Sequence, residues 1–296
     1  MINEEYTISL GAYREENAPR GTAAFPCAAY QGDVQKFVAG QIIPHWHHEI
    51  EWFFLLDGYA RVSFIDQEYG LHPGTGYLAN SNVLHSVDCM TDQPCHYHSI
   101  VFDPSIIAGA PGSVFEKSYV RPFLELGQSM WLFDASDDST SDIKSLFSDA
   151  YRAFEAEPRG YEFLVRDVLS RLIVHLMDDS ALATKQTVIQ DLLVKQMISW
   201  LDFHYREHIT IEQLAETAGI SVRECQRIFS TVLHDTPMKY LLRRRISSAA
   251  ELLASTNGSI LDVATSCGFD SASYFAKQFK TLTGMTPREY RSKHSA

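Results

Sequence analysis

An internal duplication in the last third of the sequence constrains the fold more than any other feature. Two copies of one pattern lie 49 or 50 residues apart. The recurring pairs are Ile211/Ile260, Ala215/Ala264, Gly219/Gly268, Ser221/Ser271, Arg227/Lys277, Phe229/Phe279, Pro237/Pro287 and Tyr240/Tyr290. The apolar spacing within each copy predicts a short helix, a glycine turn and a second helix, which is the arrangement of a helix-turn-helix.

Capping signals support these helix boundaries. Thr210 with Gln213, and Ser221 with Glu224, have the spacing of a capping box, in which two side chains satisfy backbone N–H groups of the first turn. Gly219 follows the first helix of its copy, at a position where the backbone often turns left-handed. The second helix of such a unit is the one that lies in the major groove of DNA.

The residues facing DNA are predicted by removing the apolar positions that form the seam between the two helices. Arginine and glutamine suit guanine and adenine edges, so the first copy is expected to carry more of the base readout, whereas Ser230 and Lys280 are expected at phosphates. The predicted set is Ser221, Val222, Arg223, Gln226, Arg227 and Ser230 in the first copy and Ser271, Ala272, Ser273, Ala276, Lys277 and Lys280 in the second.

The distribution of charge along the chain is compatible with DNA binding by its last third. The formal net charge is −12, but residues 190–296 carry 13 basic against 11 acidic side chains. Salt screens distant charges within about 10 Å, so the local balance decides phosphate contact. A linking helix predicted over 237–256 would be about 30 Å long, close to the roughly 34 Å between successive major grooves on one side of DNA.

The second copy contains the string Ile260-x-x-Val263-Ala264-x-x-x-Gly268-Phe269-Asp270, followed by Gln278-Phe279-Lys280 and Thr286-Pro287. From Ile189 to the C-terminus the sequence resembles the DNA-binding domain of the AraC/XylS family of bacterial transcription regulators. The resemblance implies that residues 188–296 bind double-stranded DNA through two helix-turn-helix units. At least one of Arg243, Arg244 and Arg245 is expected to make an internal ion pair, and Arg245 is the first candidate because the resemblance implies that it faces the core.

The front of the chain has a different character. Short β-rich runs at 36–43, 49–56, 60–65, 76–79, 85–90 and 96–102, separated by turn residues, predict an antiparallel sandwich or barrel. Helical apolar spacing follows at 142–155 and 161–177, and the polar stretch 178–187 is the predicted linker. The fold class is therefore a multidomain α and β chain.

A histidine-rich run stands in the front part: Gly40-x4-His45-x-His47-x3-Glu51-x6-Gly58, with His85 following Asn80-Ser81-Asn82. His45, His47 and Glu51 share parity, so a regular strand would put all three on one face of the sheet. The run resembles the first cupin motif, and the segment before His85 resembles the second motif with Asn in place of its Pro and Gly.

The cupin resemblance implies a small barrel with an inward-facing pocket over residues 1–135. Two contents remain open: a metal-free polar pocket for a small organic effector, such as a sugar, or a divalent Fe, Mn, Zn or Ni ion. The implied metal ligands are His45, His47, Glu51 and His85. The predicted effector-binding residues are His45, Trp46, His47, Glu51, Phe53, Tyr77, His85 and His98, with ordinary core packing as the alternative for the aromatic ones. His48 and His72 are expected to be exposed.

The combined prediction is a transcription regulator and not an enzyme. Residues 1–135 form a cupin-like effector domain, residues 136–180 resemble the dimerisation helices of the family, and residues 188–296 bind DNA. The alternatives are a metal-dependent cupin enzyme and a metal-sensing regulator. The N-terminus has no secretory signal and no apolar run reaches 18 residues, so a cytoplasmic protein without membrane contact is expected. The resemblance to the dimerisation helices implies a homodimer. Five scattered cysteines without a Cys-x-x-Cys motif predict reduced thiols.

Overall fold

A computed structural model describes residues 2–5, 20–64, 67–125, 128–134, 141–178, 188–233 and 235–294. Its front part contains two facing sheets. One has six strands in the order β1-β2-β9-β4-β7-β10, and the other has four in the order β3-β8-β5-β6. The strands are β1 Ile2–Glu5, β2 Cys27–Asp33, β3 Gln41–His45, β4 Ile50–Leu55, β5 Ala60–Phe64, β6 Gln67–Leu71, β7 Thr75–Ala79, β8 His85–Cys89, β9 His96–Phe102 and β10 Met130–Asp134.

Strand β4 shows how the sequence builds two cores at once. All six of its residues are buried. Phe53 and Leu55 face the interior between the sheets, while Trp52 and Phe54 face a second core on the outer side of the six-stranded sheet. Successive side chains on a strand point to opposite faces, so a continuous apolar run fits a strand that is covered on both sides.

The six predicted β-runs all contain strands, with one correction at the first. Residues 36–40 are not a strand but belong to two 3₁₀ turns, Val34–Lys36 and Val38–Gly40, because Ala39 and Gly40 have φ values of 60° and 64°. Left-handed backbone interrupts strand pairing. Strands β1, β2, β6 and β10 were not predicted.

The outer core is closed by helices. They are α1 Ser105–Ala108, α2 Arg121–Leu124, α3 Ser141–Ala156 and α4 Tyr161–Asp178. Helices α3 and α4 pair with each other and match the predicted helical runs, and Phe147 and Leu172 are among the side chains buried in the outer core. Most of the predicted linker 178–187 lies outside the described residues.

Seven helices follow: α5 Val188–His204, α6 Ile211–Thr217, α7 Val222–Val232, α8 Pro237–Ser255, α9 Ile260–Ser266, α10 Ala272–Thr283 and α11 Pro287–His294. Helices α6 and α7 form the first helix-turn-helix unit, and α9 and α10 form the second. The linking helix α8 has 19 residues and is therefore about 28 Å long.

One of the two predicted capping boxes is complete, whereas at α7 only the half in which Ser221 accepts from the N–H of Glu224 is present. Thr210 and Gln213 form a complete capping box at α6. Gly268 has a φ of 79°, and a Cβ atom there would lie 2.8 Å from the carbonyl oxygen of Arg206. Both the backbone angle and the close approach therefore require glycine at that turn. Within the described part of the chain, no helix is long and apolar enough to cross a membrane.

Candidate functional site

Three histidines and one glutamate meet inside the barrel. His45 ends β3, His85 begins β8 and pairs with it, Glu51 lies on β4 of the opposite sheet, and His47 lies on the connection between β3 and β4. All four are buried, and one ligand atom from each lies within 4.8 Å of the others. The four predicted metal ligands therefore converge. They do not do so through a shared strand face, because β3 ends at His45 and β4 begins only at Ile50.

Backbone carbonyls fix the orientation of all three imidazole rings. His45 Nδ1 lies 2.9 Å from the oxygen of Ile43, and His47 Nδ1 lies 3.0 Å from that of Glu49. His85 Nδ1 lies 2.8 Å from the oxygen of Val83. A carbonyl oxygen only accepts, so each Nδ1 must be the protonated donor. In the neutral ring the Nε2 atom then carries a lone pair.

The Glu51 carboxylate lies among these lone pairs. Its Oε2 atom is 3.0 Å from His85 Nε2 and 3.4 Å from His47 Nε2, and Tyr77 donates to Oε1 at 3.4 Å. Burial opposes ionisation of Glu51. When the His47 and His85 rings are protonated on both nitrogens, however, hydrogen bonds from their Nε2 atoms and their positive charge hold the pKa of the Glu51 carboxyl well below the usual range. Burial, then the neighbouring His85 and His47, hold the pKa of His45 well below its usual range.

This donor set fits a transition-metal ion. Each imidazole keeps Nδ1 on a backbone oxygen, which leaves Nε2 available, and metal-binding histidines typically donate their other ring N–H to such an oxygen. Three imidazoles and one carboxylate suit divalent Fe, Mn, Zn or Ni. Converging lone pairs beside a carboxylate repel one another unless a cation lies between them.

Two of the predicted effector residues pack beside this cluster. The Phe53 ring stacks between Tyr77 at 4.9 Å and Tyr97 at 4.8 Å, measured between ring centroids. All three rings are 0–1% exposed. Tyr97 was not predicted from the sequence. Because Tyr97 and His98 are neighbours on β9, their side chains point to opposite faces and one of them had to face the interior.

Trp46 and His98 do not lie in this interior with the other predicted effector residues. Trp46 lies between His45 and His47 in the chain and points the opposite way, packing against the helical domain. His98 alternates with Tyr97, and its ring stacks on Tyr151 of α3 with centroids 3.8 Å apart. It lines a cavity of about 330 Å³ on the outer side of the six-stranded sheet.

The second helices of the two units present the predicted DNA-facing side chains. Ser221 and Ser271 are the N-caps of α7 and α10, and their hydroxyl oxygens accept from the N–H groups of Glu224 and Tyr274. The exposed members of the predicted set are Ser221, Arg223, Gln226, Arg227, Ser230, Ser271, Ala272, Ser273, Lys277 and Lys280, whereas Val222 and Ala276 are half-buried. Tyr274 is also exposed in the first turn of α10 and was not predicted.

Arg227 already has a partner on its own helix. It donates to both carboxylate oxygens of Glu224, at 2.9 Å and 2.7 Å. The Ser221 hydroxyl caps α7 by accepting from the N–H of Glu224. The Glu224 carboxylate, which would complete the capping box, instead pairs with Arg227. The positive charge of Arg227 is therefore partly neutralised at the surface predicted to meet DNA.

The three consecutive arginines of α8 have different partners. Arg244 makes the buried ion pair, with its Nε atom 3.2 Å from Oδ1 of Asp202. Arg245, the residue expected to do so, instead donates to the backbone oxygens of Tyr205 and Glu207, both at 2.7 Å. The prediction for Arg245 is wrong because helical rotation of about 100° per residue turns Arg244 toward the interior.

The barrel contacts both helix-turn-helix units. Trp46 and Leu84 pack into the core around α5, and the Lys195 ammonium of α5 donates to the oxygen of Asn82 at 2.6 Å. Lys195 also lies 6.0 Å from the centre of the Trp46 ring. Elsewhere Val38 packs against the core of the second unit.

A buried histidine and glutamate cluster in a barrel, joined to two helix-turn-helix units, is typical of regulators in which one domain receives an effector and the other binds DNA. Comparison with known proteins agrees with this class. An AraC-like ligand binding domain matches residues 39–173, and a helix-turn-helix domain matches residues 214–293.

Several bacterial regulators are similar to this chain. The HTH-type transcriptional regulator YdeC of Bacillus subtilis (strain 168) is 27% identical over 277 residues, covering 93% of this chain and 94% of YdeC. The HTH-type transcriptional activator AarP of Providencia stuartii is 31% identical over 107 residues, covering 36% of this chain and 79% of AarP. The crystal structure of ToxT from Vibrio cholerae O395 aligns with a TM-score of 0.45 at 14% identity, over 85% of this chain and 91% of ToxT.

The chain belongs to the AraC/XylS family of transcription regulators. It is a DNA-binding regulator with an N-terminal domain for an effector.

Proposed function

We propose that this regulator holds one divalent transition-metal ion at His45, His47, Glu51 and His85, and that binding of the ion is the signal passed to DNA. The observation that carries the proposal is the orientation of the three rings. Each Nδ1 atom is bound to a backbone oxygen, and the Nε2 atoms of His47 and His85 lie beside the Glu51 carboxylate, with a ligand atom of His45 within 4.8 Å. When bound, the ion would neutralise the carboxylate and accept the lone pairs.

Packing beside the cluster favours an ion over a sugar in the barrel. A sugar needs a pocket of about 300 Å³ or more. The space next to Glu51 is filled by the stacked rings of Phe53, Tyr77 and Tyr97, all fully buried. An ion needs only the gap between the ligand atoms, which already lie within 4.8 Å of one another.

The segments that supply the ligands also supply the contacts with the DNA-binding domain. Trp46 is flanked by His45 and His47, and Leu84 precedes His85. Both Trp46 and Leu84 pack into the core around α5. A shift of the ligand segments on ion binding would therefore move the surface on which α5 rests. Such coupling requires that the ion bind one arrangement of the domains better than the other.

An organic effector has a second candidate site outside the barrel. The cavity of about 330 Å³ between the six-stranded sheet and α3 is lined by His98, Tyr151, Phe147 and Lys144, among others. Its volume is in the range of small-molecule pockets. An apolar or aromatic acid would match the rings and the lysine, and its binding there would leave the ion site intact.

We also infer that the regulator is a homodimer. Helix α4 buries Val165, Leu169 and Leu172 against the outer core, while Phe163 and Leu164 stay 76% and 54% exposed. A helix that packs inward along one stripe and offers apolar side chains along another is typical of an interface. A second copy presenting the same face would cover them in a two-fold arrangement. Because the partner is DNA, we expect the protein in the bacterial cytoplasm, acting through binding and without catalysing a reaction.

Metal titration of the full chain tests the proposed ion site. Protein stripped with a chelator and dialysed is titrated with Mn²⁺, Fe²⁺, Ni²⁺ and Zn²⁺ by calorimetry, the Fe²⁺ series without oxygen. At least one ion should bind with a stoichiometry of one per chain, and His85→Ala should abolish that binding. His48→Ala is the matched control, because His48 is a neighbouring and exposed histidine. Equal binding by the two variants, or no binding of any ion by the wild type, would refute the proposal.

A further inference from the structure

Two thiols lie together at the edge of the barrel, away from the histidine cluster. Cys89 ends β8 and Cys95 directly precedes β9, and their Sγ atoms are 2.6 Å apart. Both residues are free cysteines. Because a disulfide bond is about 2.05 Å long, a movement of roughly half an ångström would bring the two sulfurs to bonding distance.

We propose that Cys89 and Cys95 are a redox modification site, forming a reversible intramolecular disulfide by exchange with a small-molecule disulfide of the glutathione class. The local structure assigns different tasks to the two thiols. Cys89 is half-buried and is the sulfur that a solution disulfide reaches, whereas Cys95 is fully buried behind it. Reactive thiols are reached from solvent, while buried thiols react only with a neighbour.

The exchange proceeds in two balanced steps. The Cys89 thiol loses its proton to solvent, and the thiolate attacks glutathione disulfide, forming a mixed disulfide and releasing one glutathione thiolate. Cys95 then loses its proton and attacks the Cys89 sulfur, closing the internal bond and releasing the second glutathione thiolate. The two protein thiols are oxidised and one glutathione disulfide is reduced to two thiols, whose thiolates take up the two protons that the protein thiols release. Burial, followed by the Cys89 thiol, raises the pKa of Cys95 to about 11.

The thiol pair is tied to the segment that contacts the second helix-turn-helix unit. The N–H of Cys95 donates to Oδ1 of Asp33 at 2.9 Å, and the N–H of Val34 donates to the oxygen of Cys95 at 3.0 Å. A Cβ atom at Gly40 would lie 3.7 Å from Cys89. The 3₁₀ turns between Val34 and Gly40 carry Val38, which packs against the second unit. Cys95 contacts the beginning of the segment 34–40 and Cys89 lies beside its end at Gly40. Closing the disulfide would therefore restrain this segment at both ends.

Thiol mapping of the full chain tests the modification site. The protein is equilibrated across ratios of reduced to oxidised glutathione, quenched in acid, alkylated and examined by mass spectrometry. The wild type should lose two of its alkylatable thiols, with the peptides containing Cys89 and Cys95 linked. In Cys95→Ser, glutathione should accumulate on Cys89, whereas Cys89→Ser should stay unmodified. Cys225→Ser, which removes a buried thiol in α7, should behave as the wild type.

Two results would overturn this assignment. One is retention of alkylatable Cys89 and Cys95 in the folded wild type even with oxidised glutathione alone. The other is a mixed disulfide on wild-type Cys89 that never converts to the internal bond. The link to the second unit has its own measurement: amide hydrogen exchange over 34–40 should slow several-fold in the oxidised wild type and stay unchanged in Cys95→Ser under the same oxidant. Unchanged exchange in the oxidised wild type would refute that link.

Discussion

The Nε2 atom of His85 lies 3.0 Å from Oε2 of Glu51, although the two residues belong to different sheets of the barrel. The contact joins β8 of the four-stranded sheet to β4 of the six-stranded sheet. His45 pairs with His85 within the first sheet, so a ligand bound by all four residues would cross-link the two layers.

Removal of the ion should destabilise the barrel. A ligand present at 100 times its Kd stabilises the folded state by about 2.7 kcal/mol, which corresponds to several degrees in Tm for a domain of this size. Thermal unfolding followed by differential scanning fluorimetry should show this shift when metal is returned to stripped wild-type protein. His85→Ala should show no shift with metal, and His48→Ala should shift as the wild type does. A shift of the same size in His85→Ala would mean that the ion binds elsewhere.

Loss of the contact between the barrel and α5 should separate ion binding from DNA binding. Trp46→Ala removes a ring that packs on the helical domain but leaves the four ligands in place. We expect ion affinity within a few-fold of the wild type and a DNA affinity that no longer depends on the ion. The measurement is fluorescence anisotropy on a duplex selected by the protein from a random library, with and without metal. Leu132→Ala, a change at an exposed apolar residue of β10, is the control and should keep the ion dependence. If the DNA affinity of Trp46→Ala still depends on the ion, the contact between the barrel and α5 does not carry the coupling.

Release of Arg227 from Glu224 should strengthen DNA binding. Glu224→Gln removes the carboxylate that accepts two hydrogen bonds from Arg227 and also removes a negative charge from the surface predicted to meet DNA. We expect a Kd lower by a few-fold and a steeper dependence on salt, since one more cation is available for phosphate. Glu212→Gln on α6 is the control for simple loss of charge. Weaker binding by Glu224→Gln would show that the ion pair itself positions Arg227 for DNA.

The exposed face of α7 should contact base edges, and the C-terminal part of α10 should contact the phosphate backbone of DNA. Arg223→Ala or Gln226→Ala should cost about 1–3 kcal/mol of binding free energy and relax specificity at one base pair. Lys280→Ala should weaken binding to all sequences alike. Binding measured on the selected duplex and on its single-base variants distinguishes the two effects. Uniform weakening by Arg223→Ala would contradict its assignment to base readout.

The buried pair of Arg244 and Asp202 should be important for the stability of the helical domain. The Asp202 side chain is 0% exposed, so removal of its partner leaves an uncompensated charge, with an expected cost of about 3–5 kcal/mol. Urea unfolding followed by Trp200 fluorescence should show this loss in Arg244→Met. Arg223→Met, at an exposed site, should leave the unfolding free energy unchanged. The double variant Asp202→Leu/Arg244→Met should recover much of the loss, and a double variant as unstable as the single one would show that packing and not charge is responsible.

The repeat made the helical third of the molecule predictable. Its capping residues, glycine turns and apolar seam act over a few residues, so Thr210, Gly268 and Ser221 could be assigned from local chemistry. The choice between Arg244 and Arg245 could not, because both lie close to the edge of the buried stripe and only tertiary packing decides which one meets Asp202.

The barrel was less predictable for a physical reason. Alternation identified the strands that are half-exposed or bounded by clear turns, but β2 and β10 depend on partners far along the chain. The ligand set was recognised by its spacing, whereas the opposite orientation of Trp46 and the approach of Cys95 to Cys89 arise from strand geometry and loop closure. The contact between the barrel and α5 likewise has no local signal in the sequence.

Native mass spectrometry of the tag-free protein, purified from cells grown with trace metals, tests the central claim most directly. The account predicts a dimer that carries one transition-metal ion per chain, and a metal-free dimer for His85→Ala prepared in the same way. A wild-type protein without bound metal, or a His85→Ala protein that retains the ion, would contradict the assignment of the histidine cluster as the site of the regulatory ion.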